Sequence, residues 1–174
     1  MLHLYFNKMP YFIIIRGPLG IGKTTIAKRL AKILKAEYVP FDLFLEKYKL
    51  DQVPQNEPCI PAGNFIKVDN IILPKLKKIL KKKIVIFDGC FYHKKHLLHL
   101  IKNLKFPHYV FTLKAPVSVC VARDLQRKKT LGKDSAKAVH WLCSKFDYGT
   151  VIKTSRKTVS ESIREIIDFL KSIK

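Results

Sequence analysis

Short apolar runs alternate with longer segments whose apolar residues recur at every third or fourth position. Tyr11 to Arg16 is β-branched and aromatic and apolar on both faces, the pattern of a central parallel strand. From Lys23 onward Ile26, Ala27, Leu30, Ala31, Ile33 and Leu34 fall at helical spacing, with Lys28, Arg29, Lys32 and Lys35 largely between them, which predicts a helix with one buried stripe. Tyr38 to Phe41 reads as a second short strand with Asp42 at its C-terminal end. Val68, Ile71, Ile72, Leu76, Ile79 and Leu80 trace another helical stripe, and Pro74 must either bend it or start a new helix. Ile84 to Phe87 is a strand ending in Asp88 and Gly89, followed by a helix marked by Leu97, Leu98, Leu100 and Ile101. Tyr109 to Leu113 is a further strand, and Ala115-Pro116 opens a helix carrying Val117, Val121 and Leu125, since proline suits a first turn. Val151 to Lys153 closes the series of strands, and Thr158 with Glu161 forms a capping box ahead of Ile163, Ile166, Ile167, Leu170 and Ile173.

Strands separated by helices along the whole length imply a three-layer α/β domain: a parallel sheet, helices on both faces, right-handed crossovers. With 174 residues, no internal repeat and no linker, one domain over residues 1–174 is expected. An apolar share of 48% against 27% charged excludes global disorder. No apolar run approaches the roughly 18 to 20 residues that span a bilayer, the run at Tyr11 to Ile15 being cut off by Arg16, so a soluble protein without a membrane partner is expected. His3, Asn7, Lys8 and Pro10 break the order of a secretory signal, making a cytoplasmic location the default. Cys59, Cys90, Cys120 and Cys143 have no paired spacing and read as core or surface thiols rather than a zinc site or redox motif.

Between the first strand and first helix stands Gly17-Pro18-Leu19-Gly20-Ile21-Gly22-Lys23-Thr24, followed by Thr25. It satisfies the phosphate-binding pattern of Gly, four residues, Gly, Lys and Ser or Thr, in the strand-loop-helix context that the pattern requires. Glycines let the chain curl so that successive amides form an anion nest, and the helix adds its positive end. Lys23 can bridge terminal phosphates and the Thr24 hydroxyl can ligate magnesium.

Three further elements belong to the same strand edge. Asp88 arrives beside the loop, where it can hold magnesium through water or serve as an ordinary turn aspartate before Gly89. Asp42 can accept a proton from a hydroxyl attacking a γ-phosphate, or cap a helix beginning at Leu43, or do both. Arg123 and Arg127, four apart on the helix opened at Pro116, lead into the polar stretch Lys128, Lys129, Thr130, Gly132 and Lys133. A lid over about 123–134 would bring their guanidinium groups onto a transferring phosphoryl group; alternatively Arg127 pairs with Asp124 or Asp134.

Taken together these residues resemble the small P-loop phosphotransferases that include shikimate kinase, gluconate kinase, adenylylsulfate kinase and chloramphenicol phosphotransferase. The resemblance rests on Gly17 to Thr24, Val85-Ile86-Phe87-Asp88-Gly89, Leu113-Lys114-Ala115-Pro116 with Arg123 and Arg127, and Val151-Ile152-Lys153-Thr154-Ser155. It implies the P-loop nucleoside triphosphate hydrolase fold with about five strands in the order 2-3-1-4-5, an acceptor-binding region over about 42–70, and ATP and Mg2+ as cofactors. It also implies that Ser155 to Thr158 borders the adenine, with Arg156 or Lys157 stacked on the base. Nucleoside monophosphate kinases share this plan but clamp the acceptor phosphate with arginines, and residues 42–83 contain none. Lysines can substitute only as point charges.

The net charge of +21, mostly lysine, admits an acidic partner or a biased solvated surface. The densest run, Lys75, Lys77, Lys78, Lys81, Lys82 and Lys83, precedes the Asp88 strand and is expected at the edge opposite the loop. His93, His96 and His99 read as surface or partner-facing, with His93 near enough to meet an acceptor, and Trp141 reads as a packing anchor. The expected activity is transfer of the γ-phosphoryl group of ATP to a hydroxyl of a small-molecule metabolite. Alternatives are a kinase acting on RNA or DNA ends or nucleotides through the basic surface, and a non-catalytic nucleotide-binding module.

Overall fold

A computed structural model describes residues 10–128 and 130–173, so the readings at His3, Asn7, Lys8 and Lys129 lie outside the described residues. The elements run β1 (Phe12–Arg16), α1 (Lys23–Leu34), β2 (Glu37–Pro40), α2 (Phe41–Lys47), α3 (Ala62–Leu80) and β3 (Val85–Gly89) in the first half. The second half continues α4 (Lys94–Leu104), β4 (His108–Lys114), α5 (Val117–Leu125), α6 (Lys133–Ser144), β5 (Thr150–Lys153) and α7 (Val159–Ser172). Every strand pairing is parallel and the order is β2-β3-β1-β4-β5, as the resemblance implied.

The two-residue period of a strand sorts the core into two layers. Phe12 and Ile14 of β1 face one side with Val85 and Phe87, beneath Val68, Ile72 and Leu76 of α3, Leu97 and Leu100 of α4, and Leu142 of α6. Ile13 and Ile15 face the other with Ile86, Phe111, Leu113 and Ile152, beneath Ile26 and Leu30 of α1 and Ile163 and Ile166 of α7. All five residues of β1 are buried, and each large apolar side chain so placed contributes about 1.5–3 kcal/mol relative to exposure.

Several local expectations need correction. Strand β2 spans Glu37–Pro40 and Phe41 already belongs to α2, so Asp42 sits in the first helical turn behind the N-cap Pro40 and is not itself the cap. Pro74 neither restarts nor ends a helix, because α3 runs unbroken through it. The carbonyl freed by the missing N–H belongs to Asn70, which is exposed, as Pro74 is, so water can satisfy it. Arg127 lies beyond the C-cap Gln126 of α5 and is not on the helix that carries Arg123.

The histidines are mainly structural. His96 is fully buried, with Nε2 3.2 Å from Asp69 Oδ1, while His99 Nδ1 lies 2.8 Å from Asp69 Oδ2. One buried carboxylate of α3 thus takes two imidazoles from successive turns of α4, which overturns the surface reading for His96. His93 Nε2 bonds instead to the Ile60 carbonyl at 2.7 Å. Trp141 is 60% exposed beneath the Lys145 ammonium at 3.8 Å, so it does not anchor the core. Replacing Asp69 by Ala strands the buried His96 imidazole and is expected to lower the unfolding free energy by about 3 kcal/mol. Chemical denaturation measures this, and a loss near zero would remove Asp69 from the list of residues that hold α3 to α4.

Candidate active site

Parallel pairing delivers the chemistry to one edge. In the register of β1 with β3, Ile15 lies opposite Asp88 and Arg16 opposite Gly89; in that of β2 with β3, Pro40 lies opposite Asp88. The chain therefore leaves β1 into the glycine loop, and β2 into the turn carrying Asp42, on either side of the end of β3. Gly20 has φ +71°, and a Cβ there would stand 2.0 Å from the Cys120 carbonyl oxygen, so only glycine lets the loop pack on α5. Gly22 is the N-cap of α1 and brings no side-chain cap to its first-turn amides, leaving them available to an anion.

Lys23 is buried, and its Nζ donates to the Pro18 carbonyl at 2.9 Å, which leaves two donor hydrogens for another ligand. Burial opposes its charge, but Cys90, Asp88 and Asp42 outweigh burial and hold the ammonium above the ordinary lysine pKa. Asp88 is 5% exposed; its Oδ2 accepts from the Tyr38 hydroxyl at 2.8 Å, and its Oδ1 is buried with no partner among the described residues. Asp42 remains open to solvent while protein crowds around its carboxyl. Lost hydration pushes its pKa up, Lys23 pulls it down, and Asp88 adds to the rise. The structure thus brings Lys23, Asp42 and Asp88 into one electrostatic cluster.

A cavity of 570 Å³ opens beside this cluster, lined by Gly20, Ile21, Gly22, Lys23, Thr24, Thr25, Arg123, Arg127, Lys157 and the N-terminal turn of α7. Other expected residues fall outside it. Gly17 and Pro18 line a separate cavity of 310 Å³ with Lys114, His140, Cys143 and Lys153. Leu19 packs in the core, and exposed Arg156 lies off the cavity wall. Lys157 faces the cavity and pairs with Glu165. Arg127 Nη1 donates to Asp124 Oδ1 at 3.2 Å, and Thr130 Oγ1 donates to Asp124 Oδ2 at 2.8 Å while accepting from the Gly132 amide at 3.0 Å. The buried Asp124 thereby ties down the segment expected as a lid.

Sequence reasoning missed other residues of the site. Arg16, fully buried just before the loop, donates to the carbonyls of Phe91, Cys143 and Phe146 and to Thr112 Oγ1 at 3.0–3.3 Å. Its guanidinium also stacks 4.1 Å above the Phe146 ring. A charge closing an apolar strand directly ahead of a glycine loop was the available signal. Cys90 and Cys143 are likewise buried against the cluster, where the Cys143 thiol donates to the Cys90 carbonyl at 3.5 Å, and the neighbouring Cys143 side chain together with burial holds Cys90 well above the ordinary thiol pKa. The lysines from Lys75 to Lys83 occupy the end of α3 and the turn entering β3, at the opposite edge of the sheet.

Residues 12–141 match the sequence profile of the AAA domain family. The chain belongs to that family. No curated protein matches it. Among solved structures, this AAA domain is similar to a gluconokinase from Sinorhizobium meliloti, at 12% identity and a TM-score of 0.71, over 96% of this chain and 95% of that one. It is similar to a shikimate kinase from Acinetobacter baumannii in complex with shikimate, at 20% identity and a TM-score of 0.68, over 97% of each chain. It is also similar to an adenylylsulfate kinase from Mycobacterium tuberculosis, at 12% identity and a TM-score of 0.66, over 94% of this chain and 98% of that one. The AAA domain therefore has the fold of the small P-loop kinases. No helix among its described residues is long and apolar enough to cross a membrane.

Asp124 supplies the site's local prediction. Asp124→Ala removes the tethers of Arg127 and Thr130, and losing such hydrogen bonds favours local opening about tenfold. Tryptic cleavage after Arg127 and Lys128 is expected to accelerate accordingly under native conditions. An unchanged cleavage rate would mean that Asp124 does not hold the segment.

Proposed function

We propose that the protein is an ATP-dependent kinase that transfers the γ-phosphoryl group to a hydroxyl of a small-molecule metabolite. The observation that carries this reading is the cluster of Lys23, Asp42 and Asp88 beside a glycine loop whose helix begins at Lys23. A nucleotide-binding module without chemistry has no need of a second carboxylate, Asp42, in the electrostatic field of the Lys23 ammonium.

In this mechanism the loop amides and Lys23 bind the phosphates, and Lys23 neutralises charge that builds on the transferring group. Asp88 and Thr24 suit Mg2+: the buried, unpartnered Oδ1 of Asp88 lacks a positive or donating group, and Thr24 lines the cavity beside Lys23. Magnesium held there would supply charge neutralisation between the phosphates. Asp42 accepts the proton of the attacking hydroxyl, a task favoured by a pKa above the ordinary aspartate value. Arg123, from the wall of the cavity, and Arg127, once drawn off Asp124, close over the phosphates and exclude water. Lys157, rather than Arg156, borders the base. Residues 42–70 form the acceptor side, and the whole chain acts as one domain.

The absence of arginine from residues 42–83 favours an acceptor without a phosphate to clamp. The lysine run at the far edge of the sheet supports the same choice, because a nucleic acid held there stands away from Lys23. Transfer of label from γ-labelled ATP across a panel of hydroxylated metabolites, nucleotides and oligonucleotide ends tests the reading. Lys23→Ala is expected to reduce transfer by about a thousandfold while circular dichroism shows an intact fold. Wild-type turnover in that variant, or no acceptor in the panel for the wild type, would refute the proposal.

A further inference from the structure

Asp88 needs more than its strand to be useful. A carboxylate at a strand end can rotate about two side-chain bonds, and a metal ligand works best when a neighbouring donor fixes that rotation. The position directly across from it in β2 is Pro40, which has no polar side-chain atom. Two residues earlier, on the same face of the strand, stands Tyr38, paired in register with Ile86. Two strand steps cover about 6.6 Å, a gap that a phenol side chain bridges along the strand. The Tyr38 hydroxyl does so, meeting Asp88 Oδ2 at 2.8 Å.

The ring that carries this hydroxyl is held independently of Asp88. Tyr38 is half-buried against the core layer beneath α1, and the Lys28 ammonium lies 5.6 Å from its ring centroid. Thr24, the other side chain suited to the metal, neighbours the same phenol. With Oδ2 occupied by the phenol, Oδ1 remains buried and without a protein partner. A carboxylate oxygen kept dry and unpaired is unfavourable on its own, and a cation relieves that cost.

We propose that Tyr38 is a positioning residue for the metal of the bound nucleotide: its hydroxyl fixes Asp88 Oδ2 and thereby presents Oδ1, alongside Thr24, to the ion. This rests on the kinase reading and adds to it a residue that reads in the sequence only as part of an apolar strand. Tyr38 would touch neither phosphate nor acceptor, and its effect is confined to how tightly and in what orientation Asp88 engages the cation.

The test is Mn2+ binding to the protein saturated with a non-hydrolysable ATP analogue, followed by electron paramagnetic resonance. Wild type, Tyr38→Phe, Asp88→Asn and the double variant are compared. Phenylalanine keeps the ring and its packing, so melting temperature and metal-free nucleotide affinity are expected to match the wild type. The Mn2+ dissociation constant is expected to rise about tenfold in Tyr38→Phe, as for loss of a supporting partner of a metal ligand. In the Asp88→Asn background, removing the hydroxyl is expected to change it little. Wild-type Mn2+ affinity in Tyr38→Phe would overturn the proposal, and so would an equal loss with and without Asp88. A wild-type protein that binds no nucleotide would overturn the kinase reading itself, which separates the two failures.

Discussion

The parallel pairing of β1 with its neighbours β3 and β4 is the constraint on which the rest depends. Because all strands run the same way, every strand exit falls on one edge, and the register that sets Ile15 against Asp88 brings the glycine loop and Asp88 side by side. The packing that enforces this register is apolar on both faces, with Phe12 and Ile14 locked into one layer and Ile13 and Ile15 into the other. A slip of one residue would exchange the two sets, which is why so short a strand can hold a site in place. The glycine loop then has little freedom: Gly20 lies against the Cys120 carbonyl, and Lys23 reaches back to Pro18.

Arg16 extends that order across the molecule. Its guanidinium is satisfied by three carbonyls and a threonine hydroxyl drawn from the segment after β3, from β4, and from the end of α6 and the residues just after it. A buried charge held by such dipoles is costly to disturb, so the start of the glycine loop, the segment after β3 and the end of α6 are coupled through one side chain. Arg127 and Thr130, both exposed, are instead anchored on the carboxylate of Asp124, away from the sheet.

Much of this was legible in the sequence, for identifiable reasons. The loop from Gly17 to Thr24 is a local pattern whose strand and helix neighbours are also local, and the capping box of Thr158 and Glu161 needs only its own four residues. Asp88 and Asp42 could be placed at the right edge because a parallel sheet leaves no other. Contacts set by tertiary packing were not legible. Nothing local pairs Asp69 with His96 and His99, since the carboxylate and the imidazoles lie on different helices. Tyr38 reads as an apolar strand residue until β2 lies beside β3. The unbroken α3 shows the same limit from the other side, as Pro74 is tolerated only because its face of the helix meets water. Arg127 missed the helix because α5 ends before it, a boundary of two residues that no periodicity could fix.

A crystal structure of the protein with a non-hydrolysable ATP analogue and Mg2+ tests the central claim most directly. The account requires the β- and γ-phosphates within the amides of residues 17–24, Lys23 on their oxygens, the cation between Thr24 and Asp88, and Asp42 facing the γ-phosphate. Phosphates bound elsewhere, or a cation that engages neither Thr24 nor Asp88, would contradict it.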